Sequence, residues 1–491
     1  MDLKYKTISG IQWTASSSIA KSILQFIISI VLARLLMPKD FGLIGIIVVL
    51  VGFASLFSEM GFGQAIIQRK KIEERHLSTI FWLNIVIGIF LSCCFIAIAP
   101  LIAKFYNEPQ LKMLVVFISF TFIIGSTKIV QSALLNRYMK FRRLAYIEIT
   151  TQIISAAVAI TLASAGFGVW SLAWQIFIST TISAILLWKV TEWNPCFKFE
   201  KKALKELLGF SSNLLGFKIF NYWARNVDDL LIGKFIGTVG LGLYTRSYGL
   251  MLIPLNQIST TVGKVMFSSL SKIQDNVVHT RKIYLKTISA IALLTMPMMT
   301  GLMVVADSFV IALLGPAWVD VIRLLRILCL TGMVQSVGTT VGWIYSSQGR
   351  TDLMLRWGIA AGTILIAGFI VGVWIGSLQA VAVSYAITVY LLQYHNFTIP
   401  GRLINMTFYD VFASVKGILC CSIVMAAGVF IIGLFIPDQW SHWPKLIIQT
   451  FSGVIIYIVI IHAIRLKAYE EVKVVFWENV NRKNSEVVQQ C

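Results

Sequence analysis

"FWLNIVIGIFLSCCFIAIAPLIA", Phe81–Ala103, runs through twenty-three residues without a charge. An α-helix rises about 1.5 Å per residue, and about 20 apolar residues cross a hydrocarbon core of roughly 30 Å. The stretch therefore predicts a membrane-spanning helix, and the rest of the chain agrees with it. Of 491 residues, 57% are hydrophobic and 13% charged, where a soluble globular chain carries about 25% charged residues. Mean hydropathy is +0.80. The expected fold class is an all-α polytopic membrane protein.

About fourteen stretches have spanning length. They begin near Ser9, Phe41, Leu77, Leu111, Ile147 and Gly168, then near Leu208, Leu241, Lys286, Val321, Leu355 and Leu378, and finally near Ala413 and Leu446. The net charge is +20. In a soluble protein that would suggest nucleic acid; here it follows from Lys and Arg collecting in cytoplasmic loops, and no nucleic-acid partner is expected. With the N-terminus inside, roughly 27 basic residues fall on the cytoplasmic side and roughly 8 outside. The richest segments are "RKKIEER" (Arg69–Arg75), "NRYMKFRR" (Asn136–Arg143) and Lys198–Lys205. Both termini are expected in the cytoplasm, with the chain in a bacterial inner membrane. "PDQWSHWP" (Pro437–Pro444) then sets Trp440 and Trp443 in the outer interface.

Several chemistries are disfavoured. "MDLKYK" precedes a helix containing Lys21, and no small-residue cleavage site follows, so no cleaved signal is expected. Lys264 follows Gly263, but Val265 stands where a P-loop needs Ser or Thr. Cys93, Cys94, Cys329, Cys420 and Cys421 lie in apolar spans without zinc-type spacing and read as packing residues. No metal or cofactor is expected.

"FEKKALKELLGF" (Phe199–Phe210) is amphipathic and predicts a helix on the inner surface linking two halves. The halves show a repeat. "ARLLMPKDFGLI" (Ala33–Ile44) aligns with "GKFIGTVGLGLY" (Gly233–Tyr244) at an offset of 200, matching Arg34 with Lys234 and Gly42 with Gly242. "GFGVWSLA" aligns with "GSLQAVAV" at an offset of 210, matching Gly166 with Gly376. Each offset spans six helices, an even number, so both halves enter the membrane in the same direction. A parallel repeat of this kind is a transporter architecture. The expected divisions are a first six-helix lobe over 1–197, a second over 198–398, and a C-terminal hairpin with tail over 399–491.

The repeat gives meaning to "KIFNYWARNVDDLLIGKF" (Lys218–Phe235), five charges among hydrophobes. In the first span Thr14, Ser18, Lys21, Ser22, Gln25 and Ser29 share one helical face; in the seventh Ser211, Lys218, Asn221, Arg225 and Asp229 do. The offset superposes the two stripes, which predicts a wet central cavity with Lys21 and Lys218 near the midplane. A charge at the bilayer centre costs about 2.5–3.5 kcal/mol even on lenient scales, so such residues rarely face lipid. Lys21, Gln25, Lys218, Asn221, Arg225 and Arg246 are the candidate substrate-binding residues. Arg225 and Asp229, four apart, could instead neutralise each other. Cations, hydroxyls and amides suit an anionic, sugar-bearing substrate.

The chain resembles the polysaccharide transporter family, the Wzx-type lipid-linked oligosaccharide flippases of the multidrug/oligosaccharidyl-lipid/polysaccharide exporter superfamily. The resemblance rests on "VLARLLMPKDFGLIGI", "SEMGFGQAIIQRK" and "LNRYMKFRRLAYIEI", then on "DDLLIGKFIGTVGLGLYTRSYGL", "LLGPAWVDVIRLLRIL" and "SSQGRTDLML", in that order. It implies two six-helix lobes, alternating access, and a polyprenyl-diphosphate-linked sugar unit moved from inner to outer leaflet. It also implies a cationic cavity, here Lys21, Lys218, Arg225 and Arg246, and membrane lipid, a polysaccharide polymerase and a chain-length regulator as partners. The spans after Pro400 resemble an added hairpin that forms a lipid-tail groove in related flippases. An H+ or Na+ gradient, or downhill consumption of product, would supply direction. A drug or cation antiporter is the first alternative, disfavoured because the first span has no carboxylate. A polymerase or ligase is the second, disfavoured because the outer loops are short and the five histidines scattered.

Overall fold

The fold follows from where polar backbone groups can be satisfied in lipid. A chain this apolar must close its hydrogen bonds within each segment, and helices do so. In the computed structural model the described residues are 2–59, 62–68, 72–197, 200, 219, 221–223, 225–437, 439–471 and 473. Side chains are described from Ser18 onward. Among them the regular structure is entirely helical.

Two units divide the chain, Met1–Thr245 and Arg246–Cys491. The first unit holds α1 (Asp2–Leu35), α2 (Pro38–Glu59), α3 (Phe62–Gln68), α4 (Glu74–Tyr106), α5 (Gln110–Ser126), α6 (Ile129–Arg137), α7 (Phe141–Ser164) and α8 (Val169–Val190). It also holds α9, over 225–235, and the start of α10 (Thr238–Lys272). The second unit continues with α11 (Val277–Val304), α12 (Ala306–Leu313), α13 (Val321–Gly338), α14 (Val341–Ser347), α15 (Thr351–Trp374) and α16 (Leu378–Gly401). It closes with α17 (Phe408–Phe435) and α18 (His442–Ala463).

Ten described helices are long and apolar enough to cross a membrane, or eleven if α5 and α6, bent by 43° at their junction, form one broken span. α10 and α16 have the length, 35 and 24 residues. Arg246, Asn256 and Gln257 in α10, and Gln393, His395 and Asn396 in α16, dilute their apolar character. The expected linker helix and the expected span from Leu208 lie outside the described residues.

Packing in the first unit is tight where side chains are small. Gly88 of α4 sits against the Phe122 carbonyl and Ser126 of α5, and Ser92 is 3.4 Å from Ser119 one turn on. Small residues let helix backbones approach closely in lipid, where no hydrophobic drive separates lipid-facing from buried surface. The α5–α6 break is closed by local hydroxyls and by Trp188 Nε1, which donates to the Thr127 carbonyl at 3.1 Å.

The second unit has a continuous core in which Tyr284, Ile288, Ala292, Ile344, Ile418 and Ile461 are buried together. α17 packs on α11 and α18 on α17. Tyr457 of α18 donates to the Leu293 carbonyl at 2.9 Å. The C-terminal hairpin is thus part of this unit's core. Cys329 and Cys421 are buried as expected of packing residues, whereas Cys93 and Cys420 lie on exposed helix faces.

Candidate functional site

One end of the first unit is built from the α1–α2, α4–α5 and α9–α10 joints. Glu108 ties two of them to a third: its carboxylate is 3.0 Å from Lys39 Nζ and accepts a 2.8 Å bond from Thr238 Oγ1. Lys234 Nζ donates to the Phe105 carbonyl and lies 4.6 Å from that residue's ring. Here α2 meets α10 backbone to backbone. A Cβ placed on Gly42 would strike the Thr238 carbonyl, and one on Gly242 would strike the Pro38 carbonyl. The contact is reciprocal: adding 200 to Pro38 and Gly42 yields Thr238 and Gly242. Gly166 and Gly376, matched by the other alignment, both adopt left-handed φ, 84° and 78°, which only glycine enters freely.

Below this end α1 runs against α7. Ile28, Leu32 and Leu36 pack on Ala156, Ala159 and Ala163. Toward the opposite end the same seam becomes polar. Lys21 Nζ lies 2.7 Å from Glu148 Oε2, with side chains 37% and 52% exposed. Gln152 Nε2 donates to the Lys21 carbonyl at 3.4 Å. Lys21 stands fourteen residues before the end of α1, about 21 Å along the helix. Glu148 is seven residues into α7, about 10 Å from its start.

The remaining candidates are placed as follows. Gln25, one turn beyond Lys21, is exposed, and so are Asn221 and Arg225. Lys218 lies outside the described residues. Arg246 is in the second unit, its guanidinium 5.9 Å from the Trp318 ring centroid. No ion pair joins Arg225 to Asp229 among the described residues. The aspartates find other company. Asp228 is buried and accepts a 3.0 Å bond from the Tyr244 hydroxyl. Asp229 faces Tyr106 and Tyr222 within electrostatic reach, and Tyr222 donates to the Val49 carbonyl at 2.7 Å.

Two groups were missed by sequence reasoning. Glu148 is 127 positions from Lys21, beyond any helical spacing rule. Tyr244 is sixteen positions from Asp228 across a two-residue joint, a spacing that an antiparallel helical hairpin does imply. Chemically, the first unit offers a cation held by a displaceable carboxylate, a second cation free of its neighbouring aspartate, and amides between them in sequence.

The profile of the family described as "Polysaccharide biosynthesis protein" matches residues 31–323. Teichuronic acid biosynthesis protein TuaB of Bacillus subtilis (strain 168) is 30% identical over 481 residues, covering 95% of this chain and 96% of that one. Lipopolysaccharide biosynthesis protein WzxC of Escherichia coli (strain K12) is 27% identical over 462 residues, covering 93% and 89%. Among solved structures, lipid II flippase MurJ in an inward closed conformation shares the fold. The TM-score is 0.75 at 14% identity, over 91% of this chain and 97% of that one. A profile match across more than half the chain, with a near full-length relative at 30% identity, makes this helical membrane protein a member of the polysaccharide biosynthesis protein family.

Proposed function

We propose that the protein flips polyprenyl-diphosphate-linked oligosaccharide units from the inner to the outer leaflet by alternating access, for assembly of a cell-surface polysaccharide. The observation that carries this reading is the near full-length similarity to proteins named for teichuronic acid and lipopolysaccharide biosynthesis, on the fold of a lipid flippase. It is a transport function; no step makes or breaks a bond.

In this reading fourteen helices cross the inner membrane, the eleven described spans being joined by α10, α16 and the span from Leu208. Two six-helix lobes over 1–197 and 198–398 repeat in parallel, followed by the hairpin and tail over 399–491, with both termini cytoplasmic. The reciprocal Gly42 and Gly242 contact supports the repeat. Lys21, Lys218, Arg225 and Arg246 hold the diphosphate, while Gln25 and Asn221 bond sugar hydroxyls, each of which costs roughly 0.5–3 kcal/mol to bury unpaired. A proton or sodium gradient, or consumption of the product by a polymerase working with a chain-length regulator, supplies direction.

The test is deletion followed by lipid analysis. Lipid-linked sugar trapped on the inner leaflet and loss of surface polymer are expected, both reversed by the intact chain. Unchanged surface polymer, with no lipid-linked sugar accumulating, refutes the reading.

A further inference from the structure

At one end of the second unit α11 and α17 finish while α12, α13 and α18 begin. Asp307, in the first turn of α12, is ion-paired with Arg326 of α13, the side chains 54% and 45% exposed. Such a pair in water contributes about 0–1 kcal/mol, so it does little for the fold. Next to it opens a cavity of about 520 Å³ walled by Leu330, Phe430, Leu434 and Gln449. That size is within the roughly 300–1,000 Å³ typical of small-molecule sites. Gln449 Oε1 is buried and accepts no hydrogen bond from the described residues. Arg326 lies five residues into α13 and Gln449 seven into α18, about 8 and 10 Å below the helix starts. Leu330 lies one turn deeper than Arg326 on α13, and Phe430 nearly one turn deeper than Gly433, which faces Gln449, so the apolar wall continues below the polar groups.

We propose that this cavity is a site for a zwitterionic phospholipid with a primary ammonium headgroup, phosphatidylethanolamine. The charge pattern selects it. Arg326 bonds Asp307 through Nη2, and its other N–H groups are donors in number enough for a phosphate. Asp307 and Gln449 Oε1 are two acceptors for the N–H groups of an ammonium. Cation and anion lie side by side, as they do in that headgroup, so the four charges alternate. Leu330 and Phe430 take the upper part of one acyl chain, with Leu434 beside the headgroup. Phosphatidylcholine has no N–H for Gln449, and phosphatidylglycerol offers Asp307 neutral hydroxyl donors but no cation. The inference rests on the membrane fold and is independent of the transport reading; in the proposed orientation the lipid belongs to the outer leaflet.

The test uses the full chain, purified, delipidated in detergent and titrated with the three phospholipids carrying the same acyl chains, bound lipid being read by native mass spectrometry. Phosphatidylethanolamine should be held about tenfold more tightly than phosphatidylcholine or phosphatidylglycerol, as one lost charge-assisted bond predicts. Gln449→Leu leaves the ion pair intact and should remove most of that preference. Asp307→Asn should also remove it, and should raise phosphatidylglycerol binding. Where Asp307→Asn fails to insert, Gln449→Leu alone decides. Equal retention of the three lipids, or a preference unchanged in both variants, overturns the proposal. Tighter binding of phosphatidylglycerol by the unaltered chain overturns it as well, since the cavity would then take an anionic lipid.

Discussion

Substituting Lys21 and Glu148 in a double-mutant cycle separates a structural cation from a transporting one. The pair bridges α1 and α7 at 2.7 Å, with 37% and 52% of the side chains exposed. Exposure of that degree limits its contribution to folding to about 0–1 kcal/mol. Lys21→Ala should therefore insert and accumulate nearly as the unaltered chain does. If Lys21 leaves Glu148 to hold the diphosphate during transport, removing it deletes a charge-assisted bond of about 1.5–3 kcal/mol, an export rate lower by roughly 10- to 150-fold. Glu148→Gln removes the competitor and keeps the shape; its export should stay within about threefold. The double variant Lys21→Ala, Glu148→Gln should be as inactive as Lys21→Ala. The assay is surface polymer formed per membrane-inserted chain in a deletion background. Export restored to the unaltered rate in the double variant would refute the reasoning, for Lys21 would then do no more than neutralise Glu148.

At the α2–α10 contact, Gly42→Ala should destabilise the detergent-solubilised protein by about 1–3 kcal/mol, the usual cost of overpacking, while Gly249→Ala, with nothing near its Cβ, should not; equal thermal midpoints would count against the contact. Tyr244→Phe leaves buried Asp228 without its hydroxyl donor and should cost about 1–3 kcal/mol; adding Asp228→Asn should recover part of that, and a double variant no better than Tyr244→Phe would show that the bond is not what Tyr244 supplies. Arg225→Ala should lose export whatever stands at Asp229, since the two form no ion pair among the described residues; rescue by Asp229→Ala would restore the neutralising role. Reporter fusions after Gly166, Asp320 and Asp438 should read outside and those after Lys71 and Lys202 inside; an inside reading at Asp438 would end the fourteen-helix count.

Composition and the charge-free run at Phe81–Ala103 determined the membrane class by themselves, because lipid admits only segments that bury apolar surface and close their own hydrogen bonds. The ordered fragments from Val31 to Leu355 likewise carried the family. Gly42 and Gly242, which the sequence alignment set side by side, each lie against a backbone carbonyl of the other's helix, where a Cβ would not fit. Partners of charged groups were not legible. Helical spacing reports only neighbours three or four residues apart, whereas Lys21 meets Glu148 from another helix, and Arg225 passes over the nearby Asp229, which faces tyrosines instead. A stripe of polar residues gives the face of a helix, but which carboxylate meets Lys21 depends on how α1 packs along α7. The Asp307, Arg326 and Gln449 cluster shows the limit most plainly. Its members come from three helices spread over more than 140 positions, and only the packing of α12, α13 and α18 places an ion pair beside an apolar wall.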